Sequence, residues 1–304
     1  MLQALEKPGV FLLILCLGYL LKRVGLFGKT DYKILTKIVL NITLPAAVIV
    51  SFSSYQPDSS LLFCVLLGLG FTSLALGLAI VISRKFSASS RAIWYNSSPG
   101  YNIGAFTLPF VQSFLPPVGV VATCLFDVGN SIMCNGGAYA LTTGMLNGEK
   151  MRFSKILRRL VSSVPFDTYM LMLVLTLCGV QIPQGVARFI QPIAGANPFV
   201  AMLMVGLMFD VSAYKTMLRN VGGVLLLKYC LATAGALLCY FVLPLPLEVR
   251  QTLCICVFAP ASVSCTAFSE KAGGSSAEAG CINSLSIVIS ICCILSLLAM
   301  FGSL

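Results

Sequence analysis

The chain has no histidine, and only 10% of its 304 residues are charged. Without imidazole, the commonest general base and the commonest metal ligand are both missing. The ten Asp+Glu offer no pair within the apolar runs that is placed for acid–base work, so a membrane enzyme is a weak reading. Thirteen Cys are present but no Cys-x-x-Cys; the closest spacings are Cys254/Cys256 and Cys292/Cys293. All fall in apolar runs and read as small buried hydrophobes, not as a disulfide framework or a metal site. A Gly-x-x-x-x-Gly-Lys loop is also missing, which excludes ATP as a driving force within this chain. No cofactor and no metal is expected.

What the chain has is apolar length. Hydrophobic residues make up 58% and mean hydropathy is +0.95, whereas an ordinary soluble domain carries about 25% charged residues. The apolar residues come in runs, and a bilayer core needs roughly 20 of them per helix. Ten spans can be walked off: Pro8 to Leu21, Thr36 to Ser53, Ser60 to Ser83, Ala92 to Leu115, Gly119 to Leu146, Ser163 to Ile182, Ile190 to Phe209, Val221 to Leu243, Gln251 to Ser269 and Ser276 to Phe301. The first is short and is expected to continue past Lys22-Arg23, where a cleavable signal would need small residues instead. Turns such as Tyr55-Gln56-Pro57-Asp58 and Leu115-Pro116-Pro117 separate the runs.

The net charge of +10 would on a soluble chain suggest nucleic acid. Here the basic residues sit in short loops. Of the twenty Lys and Arg, all but Lys7, Arg188, Arg250 and Lys228 fall in alternate loops. That asymmetry predicts a multi-pass protein of the plasma (inner) membrane, basic loops in the cytoplasm and both termini outside. Nucleic acid is not expected as a partner.

The loop 148–162 divides the chain into a first unit, 1–147, and a second, 163–304, with five spans each. An odd number per half means that the halves insert upside down relative to each other, a common plan in secondary transporters. Echoes support it. Asn41-Ile42-Thr43-Leu44-Pro45 in span two answers Ala196-Asn197-Pro198 in span seven. Span four is interrupted by Pro99, Gly100, Gly104 and Pro109, and span nine at Pro260. Asp127-Val128-Gly129-Asn130 in span five answers Glu278-Ala279-Gly280 and Asn283 in span ten. Interrupted backbone at membrane depth is tolerated only when buried in protein or facing a wet cavity.

These residues resemble the auxin efflux carrier family, which includes the plant PIN-FORMED carriers and short bacterial members. Asn41 to Ala46 is similar to the family's Asn-x-x-Leu-Pro-Ala pattern. Asn102 to Pro109 is similar to its first crossover and Pro260 to Phe268 to its second, and Asn130 falls where plant members place a substrate-facing Asn. The short central loop is that of a bacterial-type member. Tyr101 stands where the family has Pro, and span three lacks the charged pair of plant members.

The resemblance implies an all-α integral membrane fold of ten transmembrane helices in two inverted five-helix repeats, with broken, crossing helices four and nine. It implies a scaffold from spans one, two, six and seven, and a transport unit from spans three to five and eight to ten. It implies elevator-type transport of a small organic anion, such as malate or an auxin-like acid, by a homodimer. A transporter-like receptor that binds a solute without flux is the alternative reading.

On the residues themselves, Asn102, Gly104, Asn130, Ser262 and Ser264 are the candidate substrate contacts. Asn donates and accepts hydrogen bonds, Gly admits close backbone approach, and Ser lines the second break. Pro99, Pro109 and Pro260 are candidate structural breakers. Asp127, about 12 Å into span five by helical rise, is a costly intramembrane carboxylate and a candidate for coupling to a proton or sodium ion. Passive uniport is equally compatible. Lys228, about two turns inside span eight, is expected to snorkel to the cytoplasmic side, with a counter-charge for an anion as the alternative. The basic run Lys150 to Arg159 reads as a topology signal touching anionic lipid of the bilayer.

Overall fold

The computed structural model describes residues 2–28, 30–54, 59–148, 153–209 and 218–302. The Tyr55 to Asp58 turn and the basic residues Lys29, Lys150, Arg152 and Lys215 lie outside the described residues. Among the described residues the chain is all helical, with one two-residue antiparallel bridge, Tyr101 to Ala261. The helices are α1 (Leu2–Arg23), α2 (Tyr32–Ser53), α3 (Ser60–Ser83), α4 (Ala88–Ser97), α5 (Ile103–Phe114), α6 (Pro117–Asn147), α7 (Phe153–Leu160), α8 (Val164–Leu177), α9 (Gln184–Met208), α10 (Leu218–Phe241), α11 (Leu247–Val257), α12 (Val263–Lys271) and α13 (Ser276–Met300).

Six of these are long and apolar enough to cross a membrane, or seven if α7 and α8, bent by 78° from each other, are one span. The protein is therefore a multi-pass membrane protein by helix length and hydropathy. The outer faces agree. Leu13, Leu66, Phe189 and Leu226 are each more than half exposed, which suits lipid and not water. Cys16, Cys178, Cys230 and Cys292 are exposed, so the thirteen free Cys are not uniformly buried.

Breaks in the helices follow from proline and glycine. At 98–102 and 258–262 the helix stops and restarts, so α4, α5, α11 and α12 are stubs too short to cross alone. Pro109 does not break the chain. It sits just after a π turn, Ile103–Thr107, and the same arrangement recurs at Pro45 after the π turn Val39–Thr43. A π turn widens the helix where proline supplies no N–H and its ring crowds the preceding carbonyl. Pro192 and Pro198 lie within an uninterrupted α9. A third π turn, Met133–Gly137, kinks α6 at Gly136, whose φ of 138° only glycine adopts without strain.

Helix packing sorts the molecule into two groups. α9 packs on α1 and α2, with α8 against α2, and meets the second group at α5. α3 packs on α6, α10 on α11, α11 on α6, and α12 on α4 and α13. Each group has a glycine seam. A methyl group at Gly206 of α9 would lie 2.1 Å from the Leu15 carbonyl oxygen of α1; one at Gly129 of α6 would lie 2.0 Å from that of Val65 in α3. Small residues let membrane helices approach at the backbone.

Three further expectations change. α1 ends at Arg23, followed by a turn, so the first span gains its length on the N-terminal side and not past Lys22-Arg23. Part of the 148–162 linker is helix: α7 buries Ile156 and Leu160 and leaves Lys155, Arg158 and Arg159 outward, an amphipathic pattern suited to an interface. Lys228 does not snorkel. It is 1% exposed, and its Nζ donates to the Gly100 carbonyl, 3.2 Å away at the first break. An acceptor within reach in the interior removes the reason to stretch towards the headgroups.

Candidate functional site

The two breaks meet. Asn102 N–H donates to the Pro260 carbonyl at 2.9 Å, and Ser262 N–H to the Gly100 carbonyl at 3.3 Å. This short bridge satisfies backbone groups that the breaks would otherwise leave unpaired in an apolar interior. The remaining groups are held by side chains. Asn130 Nδ2 donates to the Tyr101 carbonyl at 2.9 Å, while its Oδ1 accepts from Tyr101 N–H at 3.1 Å. On the other side, Asn283 Nδ2 donates to the Ala261 carbonyl at 2.8 Å, and Ser286 Oγ accepts from Ala261 N–H at 2.9 Å. Each break is thus gripped at its central residue by an asparagine of the second helix after it, Asn130 in α6 and Asn283 in α13.

Asn130 also donates to Asp127 Oδ1 at 2.7 Å, and Tyr169 of α8 donates to Asp127 Oδ2 at 3.2 Å. The buried carboxylate therefore has one partner in its own helix and one in the other packing group. A methyl group at Gly104 would sit 3.1 Å from the Tyr169 hydroxyl and 3.5 Å from Asp127 Oδ2. Glycine at this position leaves room for that bond.

Asn102 and Ser262 occupy the N-cap positions of α5 and α12, yet neither side chain caps its own helix. Asn102 Nδ2 is buried without any hydrogen-bond partner. Both helices start at one cavity of about 320 Å³, which Asn102, Gly104, Asp127, Asn130, Ser262 and Ser264 all line. Helix N-termini carry partial positive charge and N–H groups without helical partners, and here two of them face a space that the Asp127 carboxylate also lines. Ser262 and Ser264 hydroxyls bond each other at 2.8 Å. Pro99 lies buried in the first break, and the Pro260 carbonyl is part of the bridge. Pro109 is in the body of α5, away from the bridge in sequence.

The cavity shares Thr36, Met208, Val263 and Ser264 with a larger space of about 850 Å³. That vestibule is lined by Lys33 and Lys37 of α2, Glu270 of α12 and Asn283 of α13. Among the described residues no group of three or more His, Cys, Asp or Glu is placed to hold a metal ion.

Two participants escape a reading of the sequence alone. Tyr169 lies among the aromatic and aliphatic residues of span six, and nothing local marks its hydroxyl as the partner of Asp127. Lys228 is visible as an anomaly, but span depth does not say which way a side chain faces.

Fold and site define a multi-pass helical membrane protein whose interrupted helices meet at a cavity lined by Asn102, Asp127, Asn130, Ser262 and Ser264. No protein-family model matches the chain. Over 203 residues it is 25% identical to a protein of Methanothermobacter thermautotrophicus described as an uncharacterized transporter. The match covers 64% of this chain and 65% of that protein, so the chain spans just under two thirds of the relative's length.

Proposed function

We propose that the chain is a secondary carrier for a small organic anion, a carboxylate such as malate or an auxin-like acid. The observation that carries this is the pair of helix N-termini at one cavity, with Asn102 Nδ2 left without a partner. An unpaired buried donor costs about 1–3 kcal/mol, and a bound carboxylate would recover it. The cavity, about 320 Å³, is at the small end of ligand pockets. The similarity to a protein described as a transporter supports the same class.

In this reading the ten spans form two inverted five-helix repeats, 1–147 and 163–304, joined by 148–162. The breaks become the crossing helices four and nine. The α1, α2, α8 and α9 group is the scaffold, and α3 to α6 with α10 to α13 form a transport unit that moves as an elevator. The Asp127–Tyr169 bond and the Asn197 Nδ2 to Gln112 Oε1 bond of 3.0 Å cross the interface that must slide. Asp127 would link that movement to a proton. The vestibule beside Lys33 and Lys37 opens on the side predicted to be cytoplasmic, so this is an inward-facing state. The unit of function is a homodimer with both termini outside.

Uptake of labelled mono- and dicarboxylates into vesicles carrying the purified protein tests the reading. Saturable uptake that Asn102→Ala weakens is the expected result. Binding that stabilises the protein without flux would replace the carrier by a receptor.

A further inference from the structure

The first break holds a charge that anion recognition does not use. Lys228 is 1% exposed in α10; its ammonium lies 3.2 Å from the Gly100 carbonyl oxygen and 3.9 Å from the centre of the Tyr101 ring. Among the described residues no hydrogen bond or ion pair joins it to a carboxylate. A buried ammonium is costly unless dipoles or π faces replace its water. Here a carbonyl and a ring do so, just beyond the C-terminal end of α4. The carbonyl ends of broken membrane helices are where carriers coordinate dissolved cations. The matching position at the second break is neutral throughout: the Pro260 carbonyl accepts from Asn102 N–H and the Ala261 carbonyl from Asn283.

We propose that Lys228 is a built-in cation at the first break, standing where a dissolved metal cation would otherwise be coordinated, so that the carrier needs neither sodium nor potassium. This rests on the carrier reading above. It concerns metal cations only and leaves Asp127 free to couple a proton. Tyr101 supplies the ring that makes the ammonium tolerable.

The test has a flux arm and a stability arm. Wild-type vesicles at clamped pH should take up the anion at rates within about twofold in sodium, potassium and N-methylglucamine media. Thermal stability of the wild type should be indifferent to the same exchange. Lys228→Ala should lose about tenfold or more in flux, since it removes a buried charge from a bridge built around it. Ethylammonium should restore part of that flux and raise the variant's melting temperature while leaving the wild type unmoved. A wild type that stops transporting, or loses stability, without sodium overturns the inference. So does a folded Lys228→Ala variant that no small cation stabilises. If no anion is carried at all, the carrier reading fails, while the stability arm still decides the role of Lys228. Should Lys228→Ala not fold, the cation dependence of the wild type remains decisive.

Discussion

The two breaks pair into one bridge yet are held by different chemistry. At the second, Ala261 is gripped by Asn283 and Ser286, all neutral. At the first, Tyr101 is gripped by Asn130, which also binds the carboxylate of Asp127, while Lys228 holds the preceding carbonyl from the other side. The geometry is shared and the charge is not. A neutral clamp is enough to satisfy broken backbone, which makes the ionisable groups at the first break the candidates for a further role. Charges at membrane depth are expensive and mark function by default.

Removing each clamp in turn should separate the two breaks most widely. Asn130→Ala deletes both bonds to Tyr101 and the bond to Asp127, three in all. Asn283→Ala deletes the bond to Ala261 and leaves Ser286 in place. At about 1–3 kcal/mol for each buried group left unpaired, the first variant should abolish uptake and lower the melting temperature clearly. The second should reduce uptake several-fold. Equal losses in vesicle flux and thermal unfolding would mean that the charges add nothing to the clamp.

Next in size is the difference between the two N-cap residues. Asn102 has a free donor, whereas the Ser262 hydroxyl is already bonded to Ser264. Asn102→Ala should therefore weaken apparent affinity for the anion about tenfold, the equivalent of about 1.4 kcal/mol. Ser262→Ala should change it about twofold. Concentration series of uptake decide this, and a larger loss at Ser262 would move the substrate to the second break.

Tyr169→Phe tests whether the charged break is also the one that feels the scaffold. Its hydroxyl reaches Asp127 from the other packing group, and Gly104 makes room for it. One neutral-to-charged hydrogen bond nets about 1.5 kcal/mol or more. It is made in this state, and on the elevator reading it is lost when the unit moves. Its removal should shift the balance between states and alter the maximal rate about fivefold while affinity changes less. A change confined to affinity would place Tyr169 with the ligand instead.

Much of this was legible in the residues because membrane helices have few ways to fail. Pro99-Gly100 and Pro260 announced breaks, and Asn130 and Asn283 stood at answering positions in the helices that follow. Asp127 was conspicuous because carboxylates are rare at that depth. Direction was not legible. Lys228 looked like a snorkelling side chain because span position gives depth and not the face presented, and the acceptor that holds it is 128 residues away. Asn130 read as a candidate substrate contact; it lines the cavity, and its amide also bonds Tyr101 and Asp127. Pro109 looked like a break, but the π turn before it absorbs the distortion.

The smallest expected effect separates buried charge from exposed charge. Lys33 and Lys37 are exposed and line the vestibule beside Ser264 and Asn283, on the side of the neutral break. They would raise the local concentration of an entering anion without touching it in the cavity. Such an effect is screened over about 30 Å at 0.01 M salt and about 10 Å at 0.1 M. Replacing both by Gln should therefore slow uptake about two- to threefold at low ionic strength and leave it unchanged at high ionic strength. The deficit of Lys228→Ala should persist across the same range, since a buried ammonium against a carbonyl and a ring is scarcely reached by mobile ions. If salt erases both deficits alike, Lys228 acts as a surface charge does, and the contrast between the two breaks loses its physical basis.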